Sequence, residues 1–170
     1  MTARYEFNRQ LVARRFQRSA LAEKDHLWSI ALVFGGSRHL AQTILTHGLG
    51  NAWKSVSALA EKAGASHDAL VRREIYFALA QTGLGVLTAK ETRAQGGFSP
   101  SGRDPLCRVN ALRAYMEPED LTLLALEQYS PLSNSELSTL FGLPEDVVAE
   151  NITQVRATAE EILRSNELSE

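Results

Sequence analysis

Apolar residues along this chain recur every three or four positions, and the period-two alternation of a half-buried strand is scarce. The pattern predicts an all-α protein. A first helix runs from about Phe7 to Ala22, with Phe7, Leu11 and Val12 as its apolar stripe and Arg15 and Arg18 among its basic positions. Asp25 is the expected cap of a second helix through Leu27, Ile30, Ala31 and Phe34, which Gly35 and Gly36 end. Ser37 caps a third, carrying Leu40, Ile44, Leu45, Leu49 and Trp53 at helical spacing. Gly48 and Gly50 weaken that helix by about 1 kcal/mol each relative to alanine. Ser66 opens a fourth through Leu70, Ile75, Ala78 and Leu79, expected to fray around Gly83 and Gly85.

The segment from Gln95 to Pro105 then packs three glycines, two prolines and two serines together, which neither helix nor strand tolerates. It reads as a linker, placed at 95–109, between a helical domain at 1–94 and a second at 110–170. The second domain opens with a short helix over Glu119–Gln128, with Leu121, Leu124 and Ala125 on one face. The sharpest local signal follows. Ser133 and Glu136 have the spacing of a capping box, in which each side chain satisfies the other residue's backbone N–H. The helix they start buries Leu137 and Leu140 and stops at Gly142. Pro144 suits the first position of the next helix, where its missing N–H costs nothing. That helix buries Val148, Ile152, Val155, Ala159 and Ile162. A short helix, a tight glycine turn and a longer helix make a helix-turn-helix.

Composition narrows the class. The 170 residues are 44% apolar, too many for a disordered chain. The single Cys107 leaves no internal disulfide, and an inert thiol is the plain reading of it beside Arg108. The first ten residues hold no apolar run, and Ser29–Phe34 is too short to span a membrane, so no secretory signal, no membrane partner and a cytoplasmic location are expected. His26, His39, His47 and His67 show no metal-ligand spacing, and no phosphate loop or nucleophile motif occurs. No enzyme activity, metal or cofactor is therefore expected. Charge divides sharply. Residues 1–99 carry 13 basic against 7 acidic residues, net +6, and residues 100–170 carry 5 against 13, net −8. Two modules facing different partners would show this asymmetry, and so would an acidic module folded against a basic one, a closed state that salt should open.

The chain as a whole resembles bacterial RNA polymerase sigma factors of the extracytoplasmic-function type. From Leu112 to Leu163 an aliphatic helix is followed by Leu132-Ser-Asn-Ser-Glu-Leu-Ser-Thr-Leu-Phe-Gly-Leu-Pro144, similar to the family's run up to its DNA-reading helix. From Leu27 to Trp53 the chain resembles the family's core helix pair. The resemblance implies a region-two-like helical domain, a linker and a region-four-like helix-turn-helix, acting with core RNA polymerase on promoter DNA in transcription initiation. It places −35 reading at Asn151, Gln154, Val155 and Arg156, with Ala149 among the matching positions. It places −10 contacts at Arg72, Arg73, Lys90 and Arg93, with Tyr76 and Phe77 as aromatic faces for an extruded base. The same helical spacing suits core positions for those two aromatics.

The departures fall on functional positions. Family members dock polymerase through an acidic cluster; aligned through Trp53, its places here hold Leu40, Ala41, Gln42, Thr43, Thr46 and His47, without one carboxylate. Along the reading helix only Arg156 is basic, with Glu145, Asp146 and Glu150 close by, which weakens phosphate contact. Phosphorylation of Thr43 and Thr46 by a Ser/Thr kinase, known in branches of the family, would return negative charge to the dock; ordinary solvent-facing threonines are the plainer reading. The resemblance thus implies a divergent sigma factor gated by modification or a partner. The alternative it leaves open is a sigma mimic that binds an anti-sigma factor and no longer binds DNA.

Overall fold

The computed structural model describes residues 2–63, 68–89 and 105–167. These residues form eight helices and, among them, no strand: α1 Thr2–Ala22, α2 Lys24–Gly35, α3 Arg38–Ala63, α4 Asp68–Thr88, α5 Pro105–Tyr115, α6 Pro118–Tyr129, α7 Asn134–Phe141 and α8 Glu145–Glu167. The chain is all-α, as its periodicity predicts. No helix among the described residues is long and apolar enough to cross a membrane.

α4 is the axis of the first half. Val71, Ile75, Tyr76, Ala78, Leu79, Ala80 and Leu87 are all buried, because α1, α2, α3 and α6 pack around it. α1 runs parallel to α4. Arg15 Nε lies 3.8 Å from Asp68 Oδ1, and further along the same pair of helices the Tyr76 hydroxyl donates to Glu23 Oε2 at 2.8 Å. Phe16 of α1 meets Trp53 of α3 edge to face, ring centres 5.5 Å apart.

α4 continues through the glycines expected to fray it. At Gly83 an added Cβ would fall 2.0 Å from Phe34 Cδ2, so this glycine is what lets the Phe34 ring of α2 lie against the helix. The cost of a helix-interior glycine is offset by that packing. α2 ends as predicted, with Gly36 left-handed (φ +64°) and its N–H bonded to Leu32 O at 2.8 Å. Its start differs: Glu23 holds the cap position and Asp25 sits in the first turn, where a carboxylate still favours the helix dipole. Ser37 does cap α3, its Oγ accepting from the Leu40 N–H at 3.3 Å. Ser66, the predicted start of α4, lies outside the described residues.

In the second half, α5 begins at Pro105, so 105–109, read as the end of the linker, are helical turns instead; residues 90–104 lie outside the description. α6 packs against α2, α4 and α8, and buries Leu121, Thr122, Leu123, Ala125 and Leu126. One apolar cluster therefore runs from Leu27, Phe34 and Leu87 through Met116, Leu121 and Leu126 to Leu137, Val148 and Val155. A polar clasp closes beside it, where Asn110 Nδ2 donates to Gly36 O at 3.3 Å and Arg113 Nη1 donates to Asn110 Oδ1 at 3.3 Å. Arg113 is only 5% exposed. α6 thus meets α2 and α4 through side chains of the shared apolar cluster, and apolar contact is little affected by screening.

Candidate nucleic-acid and docking surfaces

The helix-turn-helix is built as its sequence specifies. Ser133 Oγ accepts from the Glu136 N–H at 3.3 Å and Glu136 Oε2 accepts from the Ser133 N–H at 2.9 Å, so α7 starts with both halves of the capping box. It ends at Gly142, left-handed at φ +66°, whose N–H and that of Leu143 both turn back to Ser138 O. Only glycine adopts that backbone without strain. Pro144 caps α8 from just outside it, its carbonyl accepting from the Val148 N–H at 3.0 Å, one place earlier than expected. Leu137, Val148, Val155 and Ala159 are buried, with Leu140, Ile152 and Ile162 partly so, which is the apolar set read from the sequence.

The outward face of α8 is less suited to DNA. Gln154 is exposed and Asn151 half-buried, but Val155 is 4% exposed and belongs to the core, so it reads nothing. Arg156 is exposed, yet its guanidinium forks onto Glu127 of α6: Nε donates to Oε2 at 3.2 Å and Nη2 donates to Oε1. The hydrogen bond and the charge of Glu127 raise the arginine's pKa above its usual value. Glu145, Asp146, Glu150, Glu160 and Glu161 share the exposed surface of the helix. Glu145 and Asp146 suit the start of α8 electrostatically, and all five repel phosphate.

On α4, Arg72 and Arg73 are half-buried. The Arg73 guanidinium lies 5.6 Å from the centre of the Phe77 ring and reaches Glu74 Oε1 at 3.4 Å. Tyr76, expected to stack on a base, is fully buried and held by Glu23. Burial first, then the Glu23 carboxylate, pushes its hydroxyl far above the ordinary tyrosine value. The core reading of Tyr76 is the correct one. Lys90 and Arg93 lie outside the described residues. α1 packs alongside α4, and Arg14 and Arg18 are exposed on it. The basic pattern of α1 is visible in the sequence, but its adjacency to α4 is not.

No protein-family model, curated protein or solved structure matches the chain. The surfaces stand on their own chemistry.

On α3 the positions aligned above with the family's acidic cluster follow one another along the helix. Gln42, Thr43, Thr46 and His47 occupy neighbouring turns, and Leu40 is partly buried at their edge. Thr43 Oγ1 donates to His39 O at 3.2 Å and Thr46 Oγ1 to Gln42 O at 2.8 Å, so both hydroxyl protons are occupied. Beside them an open, shallow groove of about 430 Å³ runs between α3 and α4. A second, larger groove of about 700 Å³ opens between α2, α5, α6 and α8, with Leu32, Val109, Leu112, Leu124 and Leu163 in its walls. Four separate helices build it, which no single periodic stretch reveals. Cys107 is half-buried, and among the described residues no three His, Cys, Asp or Glu side chains gather as metal ligands.

Proposed function

We propose that this protein is a divergent sigma-type factor of the extracytoplasmic-function kind, directing core RNA polymerase to promoters. The observation that carries the reading is the helix-turn-helix: a complete capping box at Ser133, a left-handed Gly142 and a buried Leu137–Val148–Val155 seam, following a helical unit with an exposed α3 face. In this reading α3 docks polymerase through Leu40, Gln42, Thr43, Thr46 and His47. Phosphate on Thr43 or Thr46 by a Ser/Thr kinase supplies the negative charge that this face lacks. Promoter DNA is held mainly by the basic half, where Arg72 and Arg73 are joined by Arg14 and Arg18, while Asn151 and Gln154 remain the base-reading groups of α8.

A second reading is favoured by one observation, the engagement of Arg156 with Glu127 on an otherwise acidic α8. It makes the protein a sigma mimic in the cytoplasm that binds an anti-sigma factor and no DNA. The two separate in transcription from sheared genomic DNA with purified core polymerase. Discrete start sites that depend on the added protein support the factor. Their absence with both unmodified and phosphomimetic Thr43→Glu protein supports the mimic.

A further inference from the structure

The corner between α2 and α3 is gripped from the other half of the molecule. The last carbonyls of a helix lack partners within it, and a donor or a positive charge placed there is favourable. α5 brings both. Asn110 Nδ2 donates to Gly36 O at 3.3 Å, and Asn110 Oδ1 accepts from Arg113 Nη1 at 3.3 Å. This order admits one orientation of the amide, because a carbonyl only accepts and a guanidinium only donates. Arg113 is buried, and a cation is tolerated out of water only where such groups face it. Gly36 leaves the clasp its room, since an added Cβ would overlap both Arg113 Nη1 and Asn110 Oδ1.

The chain beyond Gly36 is the start of the docking face. Ser37, the next residue, caps α3: its Oγ accepts from the Leu40 N–H at 3.3 Å and its O from the Ala41 N–H at 2.9 Å. The corner closes tightly, because a Cβ at Gly35 would fall 2.7 Å from Ala41 N. Leu40, Gln42 and Thr43 lie on the turns that this cap begins, and Thr43 Oγ1 reaches back to His39 O. A shift of the Gly36 carbonyl therefore shifts the cap, and with it the first turn of α3.

We infer that Asn110 and Arg113 are positioning residues for the docking face on α3. They act through the backbone of Gly36 and Ser37, so the first turn of α3 holds its geometry only while α5 is packed against α2. The packing of the second half is thereby transmitted to the surface that docks. A helix start opens locally at small cost, which is why a bond supplied from outside the helix counts there. The inference rests on the docking role given to α3 above and adds the control of its geometry.

Amide hydrogen exchange on the full chain reads the corner without polymerase. Asn110→Asp keeps the side chain's size and an acceptor for Arg113 but removes the donor to Gly36 O. It should speed exchange at Leu40 and Ala41 by about two- to tenfold, the contribution of one hydrogen bond. Val71, Ile75 and Leu79, buried in α4, should keep their rates. Arg113→Met should act at the same two amides, and Arg113→Lys should restore part of their protection. Leu126→Ala, which lowers stability away from the clasp, is the control: it should speed the α4 amides and spare the corner. Unchanged exchange at Leu40 and Ala41 in Asn110→Asp, or equal acceleration throughout α3 and α4, would overturn the inference. Core polymerase is titrated with the same proteins. Weaker binding of Asn110→Asp by a comparable factor supports the inference, and equal binding despite a loosened corner overturns it. A loosened corner with no polymerase binding by any form removes the sigma reading and keeps the positioning of the first turn of α3.

Discussion

Arg156 on α8 and Glu127 on α6 face each other as a two-pronged ion pair, Nε to Oε2 at 3.2 Å, so the basic group near the centre of α8 is held by a neighbouring helix. The carboxylate side chain is the more buried partner, at 18% exposure against 56% for the arginine. Glu127→Gln should release the guanidinium without emptying its site. Duplex DNA affinity at low salt is expected to rise severalfold, and the slope of log K against log salt to steepen by about 0.9 if Arg156 then neutralises one phosphate. Fluorescence anisotropy across a salt series reads both. Unchanged affinity would mean the acidic surface of α8, and not the pair, governs DNA binding.

Gly83 and Phe34 form a contact with no room in it. Gly83→Ala places a methyl group within the van der Waals radius of the ring and should cost about 1–3 kcal/mol, as overpacked cores do. Chemical denaturation measures it. The contrast with Gly85→Ala, on the same helix but facing open space, controls for helix propensity.

Tyr76 gives the stability a signature in alkali. Its hydroxyl is neutral and bonded to Glu23 in the folded protein, with its pKa raised by burial and by that carboxylate. The stabilisation is complete below the unfolded tyrosine pKa of about 10 and is lost progressively as pH rises above it, at up to about 1.4 kcal/mol per pH unit. Tyr76→Phe removes this contribution to the slope and loses about 1 kcal/mol near neutrality through the missing hydrogen bond. Urea unfolding of the two proteins between neutral pH and alkali separates them; parallel curves would contradict the assignment.

Because α6 meets α2 and α4 through apolar side chains, the halves should stay together in salt. The radius of gyration is expected to be the same at low and high ionic strength, and calorimetry should show one transition. Leu126→Ala, fully buried in the shared cluster, should lower stability by about 2–5 kcal/mol in that one transition. Expansion in salt would restore the charge-held closed state that the sequence suggests.

The sequence is most informative where the determinants are local. Ser133, Glu136 and Gly142 act within a few residues of one another, and their helix appears where their spacing puts it. The inward stripe of α8 is equally plain, because five apolar residues at helical spacing leave one face for burial. Long-range relations are not visible in this way. Phe77 and Tyr76 are adjacent aromatics on one helix, and only the packing of α1 and Glu23 over α4 decides that Tyr76 is core. Val155 lies within the reading stretch but belongs to the core. Gly83 looks like a helix breaker until Phe34, 49 positions earlier in the chain, is seen lying on it. The parallel placement of α1 beside α4, seen in the Arg15–Asp68 and Glu23–Tyr76 contacts, is a property of the assembled fold alone.

The most direct test of the central claim is an equilibrium titration of the purified full chain against core RNA polymerase, at low and at physiological salt, with unmodified and Thr43→Glu protein. Saturable, sub-micromolar binding is expected, strengthened by the glutamate substitution and weakened by salt. Absence of binding by both forms at either salt would contradict it.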